Sequence, residues 1–202
     1  MCLAADEGDG VDEERWAGGL RSAGAGDVSV VALAEGRPVR ADDVAGAAGV
    51  YVCGGLTPLY AELLAGGGAG WLPDDIPYAG FSAGAAIAAR SAIVGGWRLG
   101  ELAVSSDDAS EDLDQVEPVP GLGLVPFAVD VHASQWGTLT RLVHAVAAGV
   151  VDEGWAIDES TCVLPGDGGA VAVHGLGSAY HVTRGGDDGA VAVRVQRGSA
   201  VH

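Results

Sequence analysis

"YAGFSAGAAIAAR", residues 78–90, sets one serine between two glycines, after a short apolar run and before a run rich in alanine. The apolar run suits a buried strand and the alanine-rich run a helix, so Ser82 falls on a strand-to-helix turn. "GFSAG" satisfies the G-x-S-x-G pattern of a nucleophile elbow. Its glycines answer to crowding, because a side chain at Gly80 or Gly84 would collide with the neighbouring strand or helix. The turn also puts the amide of Ala83 at a helix N-terminus, where it can donate to a developing oxyanion. An inert serine in a tight turn is the competing reading, since a chain with 34 glycines makes this pattern by accident.

Outward from the elbow, runs rich in valine alternate with segments of helical spacing. "VSVVAL" (28–33) and "GVYVCGG" (49–55) read as buried strands, "WAGGLRSAG" (16–24) and "TPLYAELLAG" (57–66) as helices, and "AGAAIAARSA" (83–92) as the helix after the elbow. Such alternation predicts a mainly parallel sheet covered by helices on both faces, with sites at the carboxyl ends of the strands. "DDASEDLDQVEPVPG" (107–121) reads as a charged loop over the site. "FAVDVH" is a strand ending at His132, and "WGTLTRLVHAVAAGVV" (136–151) is a helix. The last third is a series of short runs separated by turn residues, which predicts antiparallel strands extending one side of the sheet. No internal repeat and no linker is visible, so the expectation is one α/β domain over residues 1–202.

The 202 residues suffice for a proper core, since a chain of this size buries roughly 70% of its unfolded surface. The formal charge of −18 comes from 28 acidic residues against ten basic ones, all arginine. A phosphate backbone or an anionic bilayer would be repelled, so neither nucleic acid nor membrane is an expected partner. An anionic substrate would need an arginine to receive it. Cys2, Cys53 and Cys162 are too few for a disulfide framework or a metal knuckle. No signal sequence and no apolar run of spanning length is seen, and a reducing cytoplasm is the expected location. No metal-ligand spacing is present, and neither metal nor cofactor is expected.

A serine nucleophile needs a base, and the histidines are His132, His144, His174, His181 and His202. His132 ends a strand and so reaches the active edge; His144 sits within a helical pattern, and His174 and His181 in the antiparallel region. For the orienting acid the residues leave several choices: Asp130, Asp158 and Glu159 at strand ends, and Glu101, Asp107, Asp108 and Glu111 in or near the acidic loop. Gly54 and Gly55 close the strand "GVYVCGG" at the same edge, where Gly54 lets substrate approach and backbone can supply a second oxyanion donor.

Together these pieces resemble peptidase family S51, the serine hydrolases that include aspartyl dipeptidase (peptidase E) and cyanophycinase. The resemblance runs from about Gly49 to about Val182 through "VYVCGGLTPLYAELL", "YAGFSAGAAIAA", "GLGLVPFAVDVHASQWGTLTRL" and "GWAIDESTCVLPGDGGAVAVHGLGSAYHV", in that order. It implies a three-layer α/β/α sandwich related to class I glutamine amidotransferases, and a small peptide as substrate. The family nucleophile falls on Ser82, the histidine on His132, the glutamate on Glu159, and the oxyanion donors on the amides of Gly55 and Ala83. An acid between serine and histidine would instead point to Glu101. Three departures stand out. Leu56 replaces a residue that is often polar and alters the pocket wall. The segment after the histidine keeps one arginine, Arg141, which with Trp136 is expected to contact substrate. The family usually begins with another strand and helix before the matched region, whereas this sequence starts almost at once with the short, acidic "MCLAADEGDG", so that unit is expected to be lost or the start misassigned.

The expected activity is cleavage of small peptides through an acyl-enzyme, with a homodimer left open. Two other classes compete. An α/β-hydrolase esterase would use Ser82 with Asp130 or Asp158 and His174 or His181. A non-catalytic binding module would keep the fold without the chemistry. A glutaminase is disfavoured because Cys53, at a strand end, is not at an elbow.

Overall fold

The computed structural model describes residues 1–166, 170–186 and 190–199. His202 lies outside them.

The first half is built on parallel strands. In chain order come β1 (Cys2–Ala5), α1 (Glu13–Ser22), β2 (Val30–Leu33), β3 (Val50–Val52), α2 (Thr57–Tyr60), β4 (Tyr78–Gly80) and α3 (Ala83–Ala86). The four strands form a parallel sheet in the order β2-β1-β3-β4. β1 corrects the sequence reading, which left the first residues unassigned. Its Cys2, Leu3 and Ala4 are buried at the centre of the sheet, too short a run to stand out beside the acidic segment that follows. α1 is capped by Asp12, whose carboxylate accepts from the Arg15 amide at 3.0 Å, with Glu13 and Glu14 in the first turn and Arg21 in the last. α2 widens after one turn into i→i+5 bonding over Ala61–Ala65.

The helix after the elbow is shorter than expected. The amides of Leu122, Gly123 and Leu124 bond the carbonyls of Ile87, Ala89 and Ala88, so the returning chain takes the acceptors that further helical turns would need. From there the chain forms β5 (Ser91–Ala92), β6 (Arg98–Leu99), β7 (Leu102–Ala103) and β8 (Val119–Pro120). β6 pairs with β7 ahead of the segment read as a loop, and β5 pairs with β8, so that segment is hydrogen-bonded at its far end.

The second half contains β9 (Ala128–Val131), α4 (Thr138–Ala147), β10 (Glu153–Ile157), β11 (Thr161–Pro165), β12 (Val171–Gly175), β13 (Ser178–Arg184) and β14 (Val191–Arg197). β9 and β10 are parallel, and β13 and β14 extend them antiparallel in the order β14-β13-β10-β9; the antiparallel strands expected from the short valine runs are present, but in a second sheet in which β10 is parallel to β9. β11 and β12 form a separate hairpin. The whole is a mixed α/β structure with parallel and antiparallel sheets. Among the described residues no helix is long and apolar enough to cross a membrane.

Alternation along β9 sorts its residues between two faces. Ala128 packs with Leu142, Ala145 and Val146 of α4, whereas Phe127 and Val129 pack with Trp155 and Val173 on the other side. Asp130 follows Ala128 to the α4 side and meets Arg141 there in a two-pronged ion pair, Nε–Oδ2 at 2.9 Å and Nη2–Oδ1 at 2.7 Å. Arg141 also donates through Nη1 to the carbonyls of Gly96 and Ala109, at 3.0 and 2.6 Å. Expected as a substrate contact, Arg141 is instead a buried tie between α4, β9 and the 96–109 segment.

Arg141→Met leaves a buried carboxylate without its partner, and the variant is expected to lose about 3–5 kcal/mol of unfolding free energy. Urea unfolding followed by circular dichroism measures it; an unchanged midpoint would contradict the role assigned to the pair.

Candidate functional site

Ser82 stands between β4 and α3 with φ 51° and ψ −112°, a backbone state that non-glycine residues rarely adopt. The glycines around it are demanded by space. A Cβ on Gly80 would overlap the carbonyl of Gly84, and one on Gly84 would overlap the carbonyl of Val52 in β3. Gly54 is equally constrained, since a Cβ there would lie 2.8 Å from the Ser82 Cβ and 2.9 Å from the Phe81 ring. Phe81 is braced from outside by Trp16 of α1, edge to face at 6.0 Å.

His132 follows the last residue of β9 and also has positive φ, 58°. Strict alternation would send its side chain to the face of Asp130, and the left-handed turn redirects it toward the elbow. Its Nε2 lies 2.9 Å from Ser82 Oγ, and its Nδ1 lies 3.2 Å from Glu159 Oε1. The Nδ1 contact is close but not aligned as a hydrogen bond, and Nδ1 has no other partner. A carboxylate on that side favours the tautomer with hydrogen on Nδ1, which leaves Nε2 to accept from the Ser82 hydroxyl. Trp136 stacks on the imidazole, ring centres 4.1 Å apart at 22°, and holds its plane. It therefore touches the histidine and does not line the cleft as expected of a substrate contact.

His132 and Glu159 meet because their segments are stitched together beyond the ends of paired strands. Val131 and Ile157 are in register at the end of the β9–β10 ladder. Past it, the Ala133 amide donates to the Ile157 carbonyl, the Ser134 amide to Asp158 Oδ1, and the Glu159 amide to Gln135 Oε1, each at 3.0 Å. Asp158 is completed by the Ser178 amide at 3.0 Å, so its carboxylate serves the turn and not the histidine. Gln135 was not singled out from the sequence; its place three residues after His132 in "HASQW" was the available signal.

The amides of Gly55 and Ala83 have no hydrogen-bond partner among the described residues. Their neighbours are occupied. The Leu56 amide donates to Glu7 Oε1 at 2.7 Å and the Thr57 amide to Glu111 Oε2 at 3.0 Å, so two carboxylates hold the loop that carries Gly55. Leu56 itself is absent from the cleft wall, contrary to expectation.

The other acids and bases weighed from the sequence are elsewhere. Asp130 is bound to Arg141, Glu101 is fully exposed beside Arg98, His181 pairs with Glu153 at 3.0 Å against Trp155, and His174 contacts Ser199. The set required by an esterase with a late histidine is not assembled around Ser82. Cys53 is fully buried with its Sγ 3.1 Å from that of Cys2, and the hydrogen bond to Cys2 together with burial pushes its pKa up.

Ser82, His132 and Glu159 open on a cleft of about 760 Å³ between the elbow, β9 and β11. A comparison with models of known protein families and another with curated proteins each found no match.

Glu111 supplies a pH test of the loop. Burial raises its carboxyl pKa, against the opposing effects of the Thr57 hydrogen bonds and of Arg141 and His132. The folded protein then holds that proton more tightly than the unfolded chain, so its contribution is full below the ordinary glutamate pKa, about 4.3, and is lost as pH rises through the elevated value. Glu111→Gln removes this dependence. Its stability relative to the parent should increase as pH rises from about 4 to about 7 in urea unfolding, and a pH-independent difference would contradict the assignment.

Proposed function

We propose that this chain is a serine hydrolase of the peptidase S51 kind, on a three-layer α/β/α fold like that of class I glutamine amidotransferases, that cleaves an amide bond in a small peptide. The observation that carries the reading is the line from Ser82 Oγ to His132 Nε2 at 2.9 Å and from His132 Nδ1 to Glu159 at 3.2 Å, at a strained elbow opening on a cleft.

Ser82 Oγ attacks the scissile carbonyl while His132 Nε2 takes the hydroxyl proton. The negative oxygen of the tetrahedral intermediate is received by the amides of Gly55 and Ala83. Loss of one such donor typically costs about 3–4 kcal/mol of transition-state stabilisation. Glu159 stabilises the imidazolium and keeps Nδ1 protonated, and Trp136 restrains the ring. The C–N bond breaks as His132 returns the proton to the leaving amine. Water, deprotonated by the same nitrogen, then attacks the Ser82 ester and releases the carboxylic acid, regenerating the free hydroxyl. Positive φ at Ser82 and His132, each just past the end of its strand, serves this chemistry by bringing the hydroxyl and the imidazole together.

A panel of dipeptides and tripeptides with free N-termini tests the reading. Hydrolysis is expected in the parent protein. Ser82→Ala or His132→Ala should lower kcat about 10⁴-fold or more, and Glu159→Gln about 10²- to 10⁴-fold. Equal turnover by Ser82→Ala would sink the reading.

A further inference from the structure

We infer that the substrate presents a large uncharged apolar side chain next to the scissile bond, and that acidic residues at that place are rejected. The inference rests on the hydrolase reading above and assigns the chemistry of its cleft.

The cleft wall is apolar for most of its extent. Phe81, Leu124, Phe127, Val131, Ile157 and Leu164 face it from four different segments of the chain. Three of these are among the large hydrophobic residues that the fold leaves open to water: Phe81 at 47%, Leu124 at 40% and Leu164 at 56% exposure. Exposed apolar groups converging on one concavity mark a binding surface, whereas scattered ones do not. The volume, about 760 Å³, accommodates a short peptide with a bulky side chain.

Charge points the same way. Among the described residues no arginine lines the cleft, and the chain has no lysine. Arg141, which could have received a carboxylate, is buried against Asp130 and two carbonyls. Among the described residues, the carboxylates that border the cleft are those of Asp74, Asp158 and Glu159. A substrate carboxylate would lose its water, gain no cation and approach like charges, in a protein whose formal net charge is −18. A phenyl or isobutyl group loses nothing by the same transfer and covers the exposed Phe81, Leu124 and Leu164.

Boronic acids, which form reversible tetrahedral adducts with an activated serine, separate this inference from the reading beneath it. The probes are methylboronic acid and the N-acetylated boronic acid analogues of phenylalanine and aspartate, with binding to the full chain measured by calorimetry. The phenylalanine analogue is expected to bind at least about tenfold more tightly than the aspartate analogue. Leu124→Arg, and independently Leu164→Arg at the exposed edge of β11, should narrow that ratio at least about tenfold by supplying the missing cation. Ser82-dependent binding of methylboronic acid with equal or tighter binding of the aspartate analogue would overturn the apolar preference and leave the hydrolase reading standing. A ratio unmoved in both arginine variants would overturn the place assigned to the side chain. Binding of no probe, or binding indifferent to Ser82→Ala, would overturn both.

Discussion

The first turn of α3 lies so close to the backbone of β3 that the Val52 carbonyl occupies the space a side chain at Gly84 would need. That approach decides the rest of the site. It lets the Gly84 amide bond the Cys53 carbonyl at 3.1 Å, pulls the helix down onto the strand, and leaves the chain one residue, Ser82, in which to change direction. Ser82 meets the demand with a positive φ that costs a non-glycine residue about 1–3 kcal/mol. In return its hydroxyl is displayed beyond the sheet edge, and Gly54 is brought against its Cβ.

The partner side chains reach the same edge through register. β9 and β10 run parallel and end together at Val131 and Ile157, and three bonds of 3.0 Å carry the alignment on to His132 and Glu159. The sequence distance of 27 residues between His132 and Glu159 is thereby reduced to a side-chain contact. Asp130, two residues before His132, and Asp158, next to Glu159, are fully engaged elsewhere, one with Arg141 and one with the amides of Ser134 and Ser178. Neighbouring carboxylates thus divide into one that faces the histidine and two that maintain the elements around it.

Much of this was legible in residue types. The elbow could be read because glycines two residues either side of a serine, between an apolar and an alanine-rich run, fit a crowded strand-to-helix turn. His132 could be read because a strand ended there, and β13 and β14 because valine alternated between turn residues. What escaped depended on long-range partners. β1 is four residues long, and only its place between β2 and β3 makes it central. The helix after Ser82 stops early because residues 122–124, far along the chain, take its carbonyls. Arg141 looked like a substrate contact because its partner, Asp130, gave no sign of which face of β9 it would occupy. Trp136 and Gln135 act through His132 and Glu159, a role that spacing alone does not announce.

The account stands or falls on Ser82 being a nucleophile activated by the folded protein. Incubation with a fluorophosphonate, followed by intact-mass measurement and peptide mapping, tests that directly. The account predicts a single phosphonyl adduct on Ser82, absent after denaturation and strongly slowed in His132→Ala. Native protein that remains unmodified, or an adduct on another residue, would contradict it.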